Sequence, residues 1–429
     1  MKINIHKGTN EIGGNCIELS TINTTILLDY GTPLKKGSAQ DSLDIKIDSI
    51  LISHPHQDHF GEIVNIDSKI PVYCGELSLN LMNAAKIFTG NDILNNNFHI
   101  YKSWQAFVIG DFKITPYLVD HSAVDAHAFL IEGEGQKILY GGDFRANGRK
   151  SDLFNKLITN KDLHNVDILF MEGTMMARDN NEFPTEISVE EKMLEEMSKT
   201  DYISFMIGSS QNIDSLVSAY RACKRSGKTF VIDMYTAWIL EKIKLVSTHT
   251  PNIDWNDVKV SHLGSGSYYH HFLENKEYFG DFAKNMFSKM IRKEDLQKDP
   301  SKYLLKISPS HIEDVIKEIN VTDANIIYSQ WIGYLDIEFN SEKQVKLFQS
   351  LKSKYNWIYA HTSGHADMAA LKTFSSSINP KNLIPIHTEY KNEYSNHFSN
   401  VVVLPDNEYF DLEDSIFNSK DHADFDSNC

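Results

Sequence analysis

The chain has 429 residues, of which 41% are hydrophobic and 23% are charged. This length exceeds that of one ordinary domain, so we expect about two or three domains, and the composition excludes global disorder. The formal net charge of −16 argues against a broad nucleic-acid-binding surface, because such surfaces are basic. No run of about 18 uncharged apolar residues is present, so we expect no membrane-spanning helix.

The first 150 residues are predicted to form mainly short strands separated by Gly or Asn turns. The N-terminal segment "MKINIHKGTNEIGGNCIEL" predicts a strand, a glycine turn and a second strand, and it lacks the apolar region of a signal peptide. One helix is predicted over "GELSLNLMNAAKIF". The further predicted strands are "TTILLDYG", "DSILIS", "IPVYCG", "FKITPYLV", "HAFLIEG" and "QKILYGGDF".

The pattern changes near residue 185. A helix is predicted over "SVEEKMLEEMSKT" and a strand over "YISFMIG". An amphipathic helix follows over "SSQNIDSLVSAYRACKRSG", with Ser209 or Ser210 near its cap and its end at Gly227. The next strand is "KTFVID", and this order predicts a βαβ unit with a parallel pair of strands.

Residues 280 to 320 are predicted to be mostly helical, and short strands return near residue 355. These strands are "YNWIYAH", "NLIPIHT" and "NVVVLP". Because the first pattern resumes after a different one, the sequence predicts one domain inserted into another.

The segment "HPHQDH" places three histidines and an aspartate within six residues. Pro55 favours an extended conformation at His54, so His54 and His56 point to the same side. Asp58 and His59 begin a predicted helix and face a second point nearby. This layout suits two metal ions about 3.5–4 Å apart. Imidazole and carboxylate without thiolate favour Zn²⁺, with Mn²⁺ or Fe as alternatives. A chance cluster of solvated histidines is the competing interpretation, which this spacing disfavours.

The same segment resembles the HxHxDH signature of the metallo-β-lactamase fold, and further motifs of that fold follow in order. Asp29 lies in "LLDYG", His121 in "DHSAVDAH" and Asp143 in "LYGGDFR". The resemblance implies that Asp143 bridges two metal ions and that Asp29 supports the site from behind. It assigns His54, His56 and His121 to one ion, and Asp58 and His59 to the other.

The segment "HTSGHADMAALKTFSSSINPKNLIPIHTEY" resembles the β-CASP branch of this fold, and most closely the ribonuclease J type. The resemblance implies that His387 is the last ligand of the second ion. It also implies that His365 is a catalytic residue outside the ligand set, oriented by Glu172 of "ILFMEGT". The expected fold is α/β, an αββα metallo-β-lactamase sandwich with an inserted α/β β-CASP domain. The expected divisions are 1–185 and 351–410 for the sandwich, 186–350 for the insertion, and 411–429 for a disordered acidic tail.

The mechanism that the resemblance implies is hydrolysis of an RNA phosphodiester by a hydroxide that bridges two Zn²⁺ ions, with Mn²⁺ as the alternative metal. Asp58 or Asp143 orients the hydroxide. His365 protonates the leaving oxygen, because the ordinary pKa of histidine is near working pH. Ser363 and the amide of Gly364, in the turn "TSGH", are expected to bind a phosphate oxygen.

Two other functions stay open at this point. One is hydrolysis of a small phosphodiester, ester or lactone, and the other is binding without catalysis, which the intact ligand set disfavours. The stretches "MYTAWIL" and "YSQWIGYLD" depart from turns usual in the family, so endonuclease and exonuclease action both stay open. The family's usual C-terminal domain is not expected here, which implies a dimer at most. The four cysteines form no CxxC pair, and together with the absent signal peptide this favours the cytoplasm.

Other conspicuous residues have more ordinary interpretations. His127 is expected in the core or behind the ligands, and His361 is expected near the site without being assigned a role. The aromatic run "SYYHHF" more often packs between domains than stacks on bases. A basic helix end is usually a solvated face, although it can guide a nucleic-acid backbone; here it comprises Arg221, Lys224, Arg225 and Lys228.

Overall fold

The computed structural model describes residues 1–35, 43–179, 181–263 and 266–412. In chain order its strands are β1 (Lys2–Lys7), β2 (Cys16–Ser20), β3 (Thr25–Leu28), β4 (Ser49–Leu51), β5 (Pro71–Gly75), β6 (Asn97–Tyr101), β7 (Phe107–Ile109), β8 (Phe112–Leu118), β9 (His127–Gly133), β10 (Gln136–Tyr140), β11 (Ile168–Glu172), β12 (Ile203–Gly208), β13 (Thr229–Asp233), β14 (Val258–Ser261), β15 (Tyr303–Lys306), β16 (Ala324–Ser329), β17 (Asn356–Tyr359), β18 (Asn382–Ile386) and β19 (Tyr409–Asp411).

The α-helices of the same residues are α1 (Gln57–Phe60), α2 (Glu76–Phe88), α3 (Asp152–Thr159), α4 (Glu186–Ser198), α5 (Ile213–Arg225), α6 (Met234–Lys244), α7 (Gly266–Glu274), α8 (Lys276–Phe279), α9 (Asp281–Ser288), α10 (Lys293–Lys298), α11 (Ile312–Ile319), α12 (Glu342–Lys354) and α13 (Met368–Ile378). Short 3₁₀ turns connect several of them. None of the helices in the described ranges combines the length and the apolar composition that a bilayer crossing requires.

Two sheets pack face to face and form the predicted αββα sandwich. The first has the strand order β19-β1-β2-β3-β4-β5-β6, and the second has the order β18-β11-β10-β9-β8-β7. Their inner faces share one apolar cluster, to which Ile26 and Leu51 contribute from the first sheet and Phe129 and Phe170 from the second. On the outer faces, α2 packs against the first sheet, while α3 and α13 pack against the second. The predicted fold class is therefore confirmed.

The third sheet is built entirely from strands between residues 203 and 359, in the order β14-β13-β15-β12-β16-β17. All its pairs are parallel, and both of its faces are covered by apolar side chains and helices. This explains the continuous apolar runs of its strands. After β17 the chain returns to the second sheet, where β18 pairs with β11.

The structure corrects three details of the sequence prediction. First, β12 and β13 share a parallel sheet, but β15 lies between them, in a segment predicted to be mostly helical. Second, Asn212 caps α5 by accepting a hydrogen bond from the amide of Ser215, rather than Ser209 or Ser210. Third, "NVVVLP" forms only an isolated bridge, between Val401 and Leu383.

The predicted domain divisions stay a prediction, with two relevant observations. Strand β17 follows residue 350 yet pairs within the third sheet, and β19, which ends at the first residue of the predicted tail, pairs with β1. Residues 413–429 of that tail lie outside the described residues. The cysteines that the structure describes, Cys16, Cys74 and Cys223, are buried free thiols.

Candidate metal centre and cleft

The segment "HPHQDH" lies directly after β4, in the middle of the first sheet. His54 and His59 are fully buried, and α1 begins at Gln57, so Asp58 and His59 lie on a helical turn as predicted. Asp29, at the end of β3, accepts hydrogen bonds from the amide and the hydroxyl of Ser53. These bonds fix the start of the histidine loop.

One group of imidazoles consists of His54, His56 and His121. The Nδ1 of His56 lies 3.1 Å from the Nε2 of His54 and 3.2 Å from the Nε2 of His121. Nitrogens bound tetrahedrally at about 2.0–2.1 Å from one zinc ion lie about 3.3 Å from one another. These three imidazoles therefore have the spacing of a shared Zn²⁺ site. The backbone oxygen of Gly364 is 2.6 Å from the Nδ1 of His121 and orients that ring.

A second group consists of Asp58, His59 and His387. The Oδ2 of Asp58 lies 4.0 Å from the Nε2 of His59 and 3.9 Å from the Nε2 of His387. His387 immediately follows β18. All the strands of the third sheet lie between His59 and His387 in the sequence, and the pairing of β18 with β11 in the second sheet places His387 at the site. His59 and His387 are therefore neighbours although the chain between them is long.

Asp143 lies between the two groups. Its Oδ2 is 3.1 Å from the Nε2 of His59 and 3.7 Å from the Nε2 of His54, and its Oδ1 is 3.8 Å from the Nδ1 of His387. A carboxylate that reaches both groups has the position of a bridging ligand. Ligand atoms within 4.8 Å of one another also group His365 with His121 and Asp143.

The environment favours the protonation states that bind metal at His54, His56, His121 and Asp143. At His59, burial lowers the pKa, but Asp143 and Asp29 outweigh it and raise that pKa well above its usual value. Burial and the neighbouring imidazoles lower the pKa of His54 and of His121 well below the usual value. Burial also lowers the pKa of His56 to about 4. Burial opposes ionisation of Asp143, but His387 and His59 outweigh it and hold the pKa of Asp143 well below its usual range. Neutral imidazole and ionised carboxylate are the forms that bind a metal.

Several atoms of the site are buried and make no hydrogen bond among the described residues. They are the Nε2 of His59, both oxygens of Asp143 and both ring nitrogens of His387. The approach of His59 to Asp143 lacks the alignment of a hydrogen bond. Because unsatisfied buried polar atoms are costly, the gathering of His59, Asp143 and His387 at one place fits bound cations that these side chains would contact, His387 through one of its two ring nitrogens.

Asp29 supports His59 from behind, at the position expected for it. Its Oδ2 is 2.7 Å from the Nδ1 of His59 and accepts a hydrogen bond from the hydroxyl of Tyr140. Carboxylates that orient a ligating histidine in this way increase its basicity and fix its ring. Sequence reasoning found Asp29 but missed Tyr140, because a tyrosine at the end of a buried strand carries no distinguishing signal.

His365 and Glu172 are brought together beside this site. The Nδ1 of His365 lies 2.9 Å from the Oε2 of Glu172, which is fully buried. Burial alone would lower the pKa of His365, but Glu172 and Asp143 outweigh it and raise that pKa to about 9. These two carboxylates therefore favour the protonated form of the His365 imidazole.

The turn that contains Ser363 and Gly364 packs tightly against the loop of His121. A Cβ at Gly364 would lie 2.4 Å from the hydroxyl of Ser122, so this close approach requires glycine. The hydroxyl of Ser363 accepts a hydrogen bond from the amide of His365. Both predicted phosphate-binding residues therefore lie within one turn of His365.

A cleft of about 800 Å³ runs from this site to the carboxyl ends of the third sheet. His361 lines it and is not grouped with the metal-binding candidates among the described residues. The lining residues include, from the site, His56, Asp58, Ser363, Gly364 and His365; from the third sheet and its loops, Ser209, Asn212, Ser329, Trp331, Tyr334 and Phe339; and, as charged groups, Lys35, Arg178, Asp179 and Glu389. Sequence reasoning missed the aromatic and charged members.

Three other sequence features have structural roles. His127 is buried and lies 2.8 Å from both the hydroxyl of Ser103 and the backbone oxygen of Asp125. In "SYYHHF", Tyr268 and Phe272 pack against Phe88 of α2. Three of the four cations at the basic helix end form ion pairs, which join Arg221 to Glu190, Lys224 to Asp257, and Arg225 to Glu190 and Glu191. The fourth, Lys228, donates a hydrogen bond to the backbone oxygen of Ser301.

The chain matches two family models. Residues 25–202 match the beta-lactamase superfamily domain, and residues 357–401 match the Zn-dependent metallo-hydrolase RNA specificity domain. The chain is 26% identical to an RNase J-like protein of Methanocaldococcus jannaschii, over 68% of this chain and 69% of that protein. It is 22% identical to a ribonuclease J of Mycoplasma pneumoniae, over 91% of this chain and 68% of that protein.

A solved structure shares the fold. A protein of unknown function from Enterococcus faecalis superposes with a TM-score of 0.74 at 18% identity, and the match covers 95% of this chain and 99% of that one. Fold and site together define a metallo-hydrolase with a histidine and carboxylate metal centre. The chain resembles the β-CASP branch of the metallo-β-lactamase superfamily, and ribonuclease J within it.

Proposed function

We propose that this protein is a zinc-dependent ribonuclease of the cytoplasm that hydrolyses phosphodiester bonds in RNA. The observation that carries the proposal is the double group of metal-binding side chains beside the His365–Glu172 pair, at one end of an open cleft. The names of the matched RNA specificity domain and of the ribonuclease J relatives support RNA as the substrate.

The proposed metal content is two Zn²⁺ ions per chain, with Mn²⁺ as the alternative. When bound, such ions supply a Lewis acid for the phosphate and lower the pKa of the attacking water. The proposed ligand sets are His54, His56 and His121 for one ion and Asp58, His59 and His387 for the other, with Asp143 shared. Asp29 fixes the orientation of His59.

The proposed proton donor is His365. Its Nδ1 proton is engaged by Glu172, so the proton on Nε2 is the one available to the leaving oxygen of the ribose. The raised pKa keeps that proton in place at neutral pH until negative charge develops on the leaving oxygen. Ser363 and Gly364 orient the phosphate beside it, and the carboxylate of Asp58 orients the attacking water.

The test is incubation of metal-loaded protein with RNA and DNA that carry a label at the 5′ or the 3′ end. Cleavage of RNA, abolished by a chelator and restored by Zn²⁺ or Mn²⁺, is the expected result. The labelled products also separate endonuclease from exonuclease action. If neither nucleic acid is cleaved while a small phosphodiester such as bis(p-nitrophenyl) phosphate is hydrolysed, the small-substrate alternative replaces the proposal.

A further inference from the structure

The cleft carries few cations for an enzyme that acts on a polyanion. Apart from histidines, its cationic lining residues among those the structure describes are Lys35 and Arg178. Both are engaged by the same carboxylate, since the Nζ of Lys35 lies 3.0 Å from the Oε1 of Glu389 and the Nη2 of Arg178 lies 3.4 Å from its Oε2. Glu338 also approaches Lys35, at 3.5 Å. At rest, the protein's own acidic groups therefore neutralise both cations.

Arg178 is held in a defined orientation. Its guanidinium lies 4.6 Å from the centre of the Trp331 ring, which packs edge-on against Tyr334 and Phe339. Gly333 lies against the same indole, because a Cβ there would come within 2.3 Å of the ring. The planar donors of an arginine fixed in this way match the geometry of a phosphate.

The bond to Glu389 is weak enough to be exchanged. Side-chain exposure is 38% for Lys35, 25% for Arg178 and 26% for Glu389, so water screens these pairs. Ion pairs of this exposure contribute about 0.2–1 kcal/mol. A phosphodiester of the RNA backbone carries one negative charge and two non-bridging oxygens, as the carboxylate does, so it can replace Glu389 at the same two cations when the rest of the RNA is held elsewhere in the cleft.

We propose that Lys35 and Arg178 form a binding subsite for a backbone phosphate of the RNA, and that Glu389 occupies this subsite until the substrate displaces it. The inference rests on the proposed function and adds to it a second phosphate contact, away from the one that is cleaved. Glu389 thereby favours RNA long enough to reach both places, because an anion that reaches only this subsite gains no more from the two cations than Glu389 does.

The test compares the wild type with Glu389→Gln, which keeps the shape of the side chain and removes its charge. KM for single-stranded RNA is expected to fall about 2- to 5-fold, which corresponds to the free energy of an exposed ion pair. The gain should be largest at low salt and should disappear at high salt, because both competing contacts are screened. Metal content is measured on each preparation, since Glu389 follows the proposed ligand His387 closely.

Two further variants keep the test decisive. In an Arg178→Gln, Lys35→Gln background, Glu389→Gln should give no gain, because the carboxylate then has nothing to block. Glu132→Gln, which breaks the exposed pair with Lys113 on the second sheet, is the matched control and should leave RNA cleavage unchanged.

The outcomes separate this inference from the proposed function. If the wild type cleaves no RNA, the proposed function fails. If it cleaves RNA but Glu389→Gln raises KM or leaves it unchanged at low salt and equal metal content, the subsite inference alone is overturned. A gain that persists in the Arg178→Gln, Lys35→Gln background also overturns it.

Discussion

Two buried polar clusters lie side by side in this protein and differ in how their atoms are satisfied. At the candidate metal centre, buried atoms of His59, Asp143 and His387 make no hydrogen bond among the described residues. A few residues away, the fully buried guanidinium of Arg145 contacts Asp120, Glu186 and Asp214, and it donates a hydrogen bond to the backbone oxygen of Ser363 at 3.0 Å. There, one carboxylate oxygen, the Oδ2 of Asp120, is left without a partner.

The difference teaches how to separate a ligand site from a structural connection. Arg145 joins the loops of His121 and His365 to α4 and α5, which flank the third sheet, and its charge is balanced within the protein. The atoms of the metal centre converge without balancing one another. Charged residues that are paired with one another stabilise the arrangement of the chain, whereas several unsatisfied ligand atoms gathered at one place mark a candidate cation site.

The largest effect is expected from two histidine variants that divide the metal centre from its neighbour. His365→Ala should keep nearly full metal content while turnover falls about 10²–10⁴-fold, because it removes the proposed proton donor. His387→Ala should instead lose metal from the second group. Metal content and cleavage rate are measured on the same preparations. Loss of metal from His365→Ala to the same extent would refute this division of roles. It would instead make His365 a metal ligand, for which its Nδ1 lies close enough to the Oδ2 of Asp143, at 3.7 Å.

The next effect concerns Arg145. Arg145→Met removes the fully buried cation that three buried carboxylates share and leaves them only Lys150 and Arg149 nearby, so the free energy of unfolding should fall by about 3–5 kcal/mol. Urea denaturation at saturating zinc measures this change. The metal stoichiometry of the folded protein should stay at the wild-type value, since Arg145 contacts none of the proposed ligand side chains. Loss of metal without loss of stability would reverse the roles of the two clusters.

A feature of the fold or of the site could be predicted from the sequence when its residues lie close together in the chain or form a known motif. The segment "HPHQDH" carries four site residues within six positions, and family motifs supplied His121, Asp143, His365 and His387. Arg145 was missed because its partners Glu186 and Asp214 lie 41 and 69 residues away in the sequence. Only the folding of α4 and α5 against the third sheet brings these partners near Arg145. Strand β15 was missed because its four residues, which lie between helices, are too few to show the alternation of apolar and polar residues that indicates a strand.

A smaller effect is expected behind the ligands. Tyr140→Phe removes the hydroxyl that donates a hydrogen bond to Asp29 and keeps the ring that packs between the sheets. Zinc affinity should fall about 10-fold, the lower end of the range for losing a direct partner of a ligating residue, because Tyr140 acts on His59 through Asp29. Competition with a chromophoric chelator measures the affinity. Tyr117→Phe, on the opposite face of the second sheet, is the matched control and should leave the affinity unchanged.

The most direct test of the central claim is the metal content of the wild-type protein. Protein purified without chelators and reconstituted with Zn²⁺ is analysed by inductively coupled plasma mass spectrometry, with chain concentration from amino-acid analysis. The arrangement of His54, His56 and His121, with Asp58, His59 and His387, on the two sides of Asp143 predicts about two zinc ions per chain. A value of zero after reconstitution would contradict the account.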